Sequence, residues 1–288
     1  MIGLLPTKPE NVKYISVVRD WLENALKTGI GSRVSSGYGR ALGQVTSLPY
    51  SQSFNFELWT QGIYGSEPPT RQNRRNGSPE FRPTAIREML RYWFRAFALS
   101  LYDAATCQTL EETLFGQLNR EGQISLSVLF NPNSRSNPYL YSGKICLEAT
   151  EQKYLTLLSH VLILASHLGG LGRGSRRPLH LLDRRMRGSH WTVDNGANLP
   201  FKYDVEQWQQ FYKHLIAAFA AVRSPIGIHT SSPGKPRQRQ QDVLDKNAQI
   251  WLLKSTAQIS PDKVSDWREG NKPSDMFRLQ PAKSVVCN

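Results

Sequence analysis

Apolar positions recur along this chain with two different periods, and those periods mark out its elements. From Asn11 to Leu26 they fall at Val12, Ile15, Val17, Val18, Trp21, Leu22, Ala25 and Leu26, a mostly helical spacing. Gly29 stands where such a helix stops. Between Ser51 and Thr60 the order reverses to strict alternation, with Phe54, Phe56 and Leu58 set against polar neighbours, which predicts a half-buried strand. TAIREMLRYWFRAFALSLYD returns to the helical period. Its apolar face holds Ile86, Met89, Leu90, Trp93, Phe94, Phe97 and Leu101, and Arg87, Arg91 and Arg95 follow one another four apart along one flank. GQISLSVLF predicts a second strand, and GKICLEA can form a third. Two further helices are predicted, an apolar one from EQKYLTLLSHVLILASHL and an amphipathic one from VEQWQQFYKHLIAAFAAVRS. Strands alternating with helices make an α+β or α/β sandwich the default class.

What lies between the elements is as uneven as the elements are regular. GIYGSEPPTRQNRRNGSPEFRP has no period at all, and a loop of that length inside a compact domain is more often functional or disordered than merely connective. Beyond Ile228, HTSSPGKPRQRQQ reads as a polar linker or tail. Two loops repeat one device. The first helix runs into TGIGSRVSSGYGR, and about 140 residues later another helix runs into HLGGLGRGSRR. Two copies of one device suggest two related domains.

Charge sharpens the picture. The chain has 288 residues, enough for one large domain or two small ones, and carries 36 Lys+Arg against 23 Asp+Glu, a formal charge of +13. An excess of that size points to an anionic partner, nucleic acid before membrane. Its distribution says more. Seven arginines and two acids (Glu80, Glu88) lie between Arg71 and Arg95, and six arginines and one acid (Asp183) between Leu168 and His190. Cys107, Cys146 and Cys287 are scattered with no CxxC pair, which favours a reducing cytosol and gives no support for structural zinc. No apolar run approaches the roughly 18 residues of a spanning helix. MIGLLPTKPE lacks the pattern of a signal peptide, so a cytoplasmic location is expected.

One glycine is enough to cap a helix. Here Gly29, Gly31, Gly37 and Gly39 share one loop, and Gly169, Gly170, Gly172 and Gly174 share the other. Positions without Cβ let a backbone come close to another backbone and present its N–H groups. Arg33, Arg40, Arg173, Arg176 and Arg177 add forked donors suited to phosphate, and Tyr38 offers a ring on which a base can stack. The combination suits an RNA backbone. On residue types alone it suits a solvated basic turn equally well. Neither loop is a nucleotide motif, since GxxxxGK[ST] is missing and no GxGxxG stands between a strand and a helix.

A resemblance narrows the choice. GIGSRVSSGYGR is similar to the C-terminal glycine-rich loop of the RAMP superfamily, the repeat-associated subunits of CRISPR type III effector complexes. EFRPTAIREMLRYWFRAF resembles that superfamily's first helix with its arginines. EETLFG followed by QISLSVLF resembles the element that comes next, and LGGLGRGSRR resembles the closing glycine loop. The elements occur in the family's order across Phe54 to Arg177, closest to type III-B and III-D members that sit toward the handle-distal end of the guide RNA. The resemblance implies a ferredoxin-like, RNA-recognition-type domain with insertions over residues 47–228. Residues 1–46 would be the C-terminal portion of another such domain, whose opening half is not in these residues, and 229–288 a linker and tail. It also implies CRISPR guide RNA, target RNA and other RAMP subunits as partners, with no membrane and no cofactor. The RNA-backbone role passes to Gly29, Gly31, Gly37, Gly39, Gly169, Gly170, Gly172 and Arg176, and Arg87 and Arg91 become a basic flank. After Arg177 the chain departs from the family's usual glycine and aromatic and continues PLHLLDRR.

Holding is expected rather than cutting. RAMP subunits that cut target RNA carry an aspartate in the loop after the first strand; here, from Gly62 to Arg82, the acids are Glu67 and Glu80. Neither a catalytic residue nor a metal ligand is assigned. The alternative is a metal-independent endoribonuclease that processes CRISPR RNA, for which a general base near neutral pKa is required; His180 and His190 are the candidates. His160 and His167 lie on an apolar helix and are expected in the core or an interface. A DNA-reading helix-turn-helix is excluded by the apolar face of the first arginine helix and by the missing turn spacing.

Overall fold

In a computed structural model of the chain the described residues are 4–28, 48–60, 62–64, 70–72, 77, 82–117, 120–131, 140–172, 180–182, 185–187, 189–194 and 205–225. A short 3-10 turn at Pro9–Tyr14 leads into α1 (Ile15–Thr28). Then come β1 (Tyr50–Thr60), α2 (Pro83–Ala98), α3 (Ala104–Phe115), β2 (Ile124–Phe130), β3 (Leu140–Ala149) and α4 (Gln152–Leu168). The small strands β4 (His180–Leu182) and β5 (Arg185–Arg187) pair with each other before β6 (Ser189–Asp194) and α5 (Val205–Val222).

The main sheet has the order β2-β3-β1-β6, and every neighbouring pair is antiparallel. With α2 and α4 as the two crossovers this is the β-α-β-β-α-β arrangement, a ferredoxin-like α+β fold as the sequence led one to expect. The helix α3 is an addition between α2 and β2, and the β4–β5 hairpin an addition between α4 and β6.

Register sorts the residues onto two faces. Phe54 stands opposite Ile145, Leu58 opposite both Tyr141 and Trp191, and Val128 opposite Ile145. Phe54, Leu58, Ile145 and Trp191 are almost wholly buried, as are Ile86, Leu90 and Phe94 of α2 and Leu158 and Leu162 of α4 above them. Each such side chain contributes about 1.5–3 kcal/mol by leaving water. The intervening positions, Ser53, Asn55, Glu57, Lys144, Thr192 and Asp194, point to the other face and are exposed. The outer helix α5 lays Phe211, Leu215, Ala218 and Phe219 on this core, and Phe97 of α2 stacks on Tyr212 and Phe219. No helix among the described residues is long and apolar enough to cross a membrane.

Two expectations of the sequence are redrawn. The helix expected to continue through SLYD stops at Ala98, where Asp103 begins α3 instead by accepting the Thr106 N–H at 2.7 Å. The stretch ending at His190, read only as basic, contains the start of the fourth strand.

Candidate nucleic-acid interface

The topology gathers the unpatterned connections at one end of the sheet. Thr60, at the end of β1, pairs with Ser189, at the start of β6, and Trp59 pairs with Leu140, at the start of β3. Because the strands are antiparallel and each helix runs back along the sheet, α2 begins and α4 ends at this same end. Three connections therefore leave from it, residues 61–82, 131–139 and 169–188. In sequence these hold eleven arginines and no lysine, against the acids Glu67, Glu80 and Asp183. At the opposite end Asp103 begins α3, Glu151 begins α4 and Asp194 closes β6. The fold thus starts and ends all three arginine-rich connections at one end of the sheet, although Arg71, Arg82, Arg185 and Arg187 are their arginines among the described residues. Guanidinium forks suit the phosphates of a nucleic acid, which they meet bidentately.

The second glycine loop lies at this end, and its glycines do different work. Gly169 is buried at the end of α4, and a Cβ there would come 2.6 Å from Trp93 Nε1 and 2.7 Å from Met89 Sδ. Its carbonyl accepts a hydrogen bond from Trp191 Nε1 at 3.0 Å. The missing side chain lets α4 close over α2 and β6. One residue beyond the half-buried Gly170, Leu171 is pinned to the start of β6. Its N–H donates to Ser189 Oγ at 3.2 Å, and the same hydroxyl donates back to its carbonyl at 2.7 Å. Gly172 then emerges exposed with φ +74°, and a Cβ would meet Thr60 Oγ1 at 2.8 Å and the Gly62 carbonyl at 2.9 Å. Here the loop brings an exposed, left-handed glycine across the end of β1. Arg173, Gly174, Arg176 and Arg177 lie outside the described residues, as do all of Gly29, Gly31, Arg33, Gly37, Tyr38, Gly39 and Arg40.

The arginine flank of α2 is engaged inside the protein. Arg91 donates to Glu111 Oε1 through Nε at 3.0 Å and Nη2 at 2.8 Å. Arg95 donates to Oε2 through Nε at 2.8 Å and to Oε1 through Nη2 at 2.7 Å. Glu111 is buried, so both guanidiniums close over it and fasten α3 to α2. Arg87 donates to the Phe115 carbonyl at the end of α3. Burial, and then the neighbouring Arg91, lower the Arg87 pKa, while the hydrogen bond to Glu111 raises that of Arg95. Any phosphate that approached Arg91 would compete with this carboxylate.

The histidines divide as well. His160 stacks on Phe211, and His167 meets the edge of Trp208, so both serve the seam between α4 and α5. His190 lies half-buried on the polar face of the sheet, opposite Trp59, and His180 falls in β4. Glu67 and Glu80 lie outside the described residues. Among the described residues no cluster of three or more His, Cys, Asp or Glu could hold a metal ion.

Sequence reading missed Ser189 and Trp191, whose hydrogen bonds to Leu171 and Gly169 fix the glycine loop to the sheet. The signal was present in SHWTVD, where Ser189, Trp191 and Val193 alternate with polar neighbours.

Comparison with known proteins adds two similarities. The crystal structure of Cmr1 from Pyrococcus furiosus (apo form) is 16% identical with a TM-score of 0.40, covering 65% of this chain and 68% of that one. No curated protein matches the sequence. Residues 59–177, from the end of β1 through α4 and into its glycine loop, match the family model of the RAMP superfamily.

Proposed function

We propose that the chain is an RNA-binding subunit of a CRISPR type III effector complex, of the III-B or III-D kind. In this reading it holds the handle-distal part of the guide RNA and its duplex with target RNA, beside other RAMP subunits. The observation that carries it is that three connections, rich in arginine in sequence, leave one end of a ferredoxin-like sheet, where the exposed Gly172 crosses the end of β1. Arg173, Arg176 and Arg177 would meet phosphates there, with the Gly172 backbone close by. The family match over residues 59–177 supports the choice of RNA among polyanions. The first glycine loop, with Gly29, Gly31, Arg33, Gly37, Tyr38, Gly39 and Arg40, would make a second contact of the same kind. The role is holding: the connection from Gly62 to Arg82 has no aspartate.

The experiment is to purify the chain from its native host through a C-terminal tag and sequence the RNA that comes with it. Guide RNAs carrying repeat-derived handles are the expected result. Absence of RNA would overturn the reading. So would cleavage of CRISPR transcripts by the purified chain in EDTA if His190→Ala abolished it, because that would identify a processing endoribonuclease.

A further inference from the structure

We infer that Tyr64 is a stacking platform for one base of a bound RNA, set beside the turn at Gly172. The inference deepens the proposed function and rests on it. Two connections far apart in sequence meet at this point. Beyond Thr60 the chain passes through Gly62, whose φ of +126° suits a residue without Cβ. A Cβ there would come 2.9 Å from Cε2 and Cζ of Tyr64 and 3.0 Å from its Oη, so the phenol end of the ring lies back against the Gly62 backbone. Ile63, between them, is buried, and its N–H donates to Tyr141 Oη at 3.5 Å. From the second glycine loop, Gly172 comes up against the Gly62 carbonyl and Ile63 Cγ1, which a Cβ on it would meet at 2.9 and 3.0 Å. Gly62 therefore touches the Tyr64 ring through its Cα and the Gly172 turn through its carbonyl.

A single-stranded nucleotide is held by two things close together: a backbone that its phosphate can approach and a flat apolar surface for its base. Gly172, exposed and without a Cβ, supplies the first. The second has to be a ring that is not sealed in the core. Trp59, Tyr141 and Trp191, near the ends of three strands, are 7%, 6% and 0% exposed and belong to the core. Tyr64 is half-buried and stands outside it. Contact with the Gly62 backbone fixes the ring before any ligand arrives, so less conformational freedom is lost when a base settles on it. Every base has a face that can stack, so the platform fits a surface that holds RNA without selecting its sequence.

The test compares the full chain with its Tyr64→Ala and Tyr64→Phe variants on two ligands. One is a single-stranded uridine oligomer, the other an abasic ribose-phosphate oligomer of the same length and charge. Tyr64→Ala should weaken binding of the uridine oligomer by about fivefold or more, the low end of what a stacked base loses with its ring. Binding of the abasic oligomer should hold steady, and so should the salt slope, since stacking releases no counterions. Tyr64→Phe, which keeps the ring, should bind both oligomers as the unaltered chain does. An oligomer carrying 5-iodouridine, irradiated on the unaltered chain and mapped by mass spectrometry, should cross-link at Tyr64. An unchanged affinity of Tyr64→Ala for the uridine oligomer would overturn the inference, as would cross-links confined to other residues. Equal losses on both oligomers would also overturn it and make Tyr64 a prop for the loop. An unaltered chain that binds neither oligomer would overturn the proposed function as well. Steep salt dependence on both oligomers, with failure only at Tyr64, would overturn this inference alone.

Discussion

Replacing Glu111 with Ala would remove the carboxylate against which two guanidiniums of α2 are held. Four charge-assisted hydrogen bonds converge on it, at 2.7 to 3.0 Å. Each is worth roughly 1.5–3 kcal/mol in isolation, but they share one acceptor and do not add. Deleting one partner of a buried ion pair costs about 3–5 kcal/mol, because the remaining charge is left buried and unanswered. Arg91 and Arg95 retain 31% and 19% exposure, so water recovers part of that loss and the lower end, about 3 kcal/mol, is expected. With a urea slope of about 2 kcal/mol/M the midpoint should fall by about 1.5 M. The triple replacement Glu111→Leu, Arg91→Met and Arg95→Leu should recover most of it, since an apolar trio of similar volume demands no counter-charge. A midpoint shift below about 0.5 M for Glu111→Ala would refute the clamp and make the cluster a solvated surface pair.

Gly169→Ala should destabilise the fold by about 1–3 kcal/mol, because the new methyl would press on Trp93, Met89 and the Ala165 carbonyl; an unchanged urea midpoint would contradict that packing. Cys107 is buried and its thiol is pushed up to about 12, chiefly by burial, so roughly one molecule in ten thousand carries the thiolate at pH 8. Mass-mapped iodoacetamide labelling should therefore modify the half-buried Cys146 before Cys107, which should react only as urea unfolds the chain.

How far the fold could be read in advance depended on whether each element's partners were local. The alternation of Phe54, Phe56 and Leu58 shows β1 by itself, and the apolar spacing of Ile86, Leu90, Trp93 and Phe94 shows α2. The helix α3 is invisible to such patterns because Glu111, a charged residue, sits at one of its buried positions, and the arginines that allow it lie 16 and 20 residues earlier on another helix. For the same reason the flank of Arg87, Arg91 and Arg95 gave no hint that it faces inward. Glycines are alike in sequence, so Gly169 and Gly172 received one role, and only the burial of the first and the positive φ of the second separate packing from exposed loop. That the three connections leave one end of the sheet follows from strand order, which single-sequence periodicity does not encode.

The most direct measurement of RNA holding at this end of the sheet is the salt dependence of binding to single-stranded RNA of unrelated sequences. Each phosphate contact to single-stranded nucleic acid contributes about 0.7 to the slope of log affinity against log salt. Replacing Arg173, Arg176 and Arg177 together with Ala should weaken all sequences alike and flatten that slope by about 2. An unchanged slope, or a loss confined to one sequence, would contradict backbone holding by the arginine-rich connections.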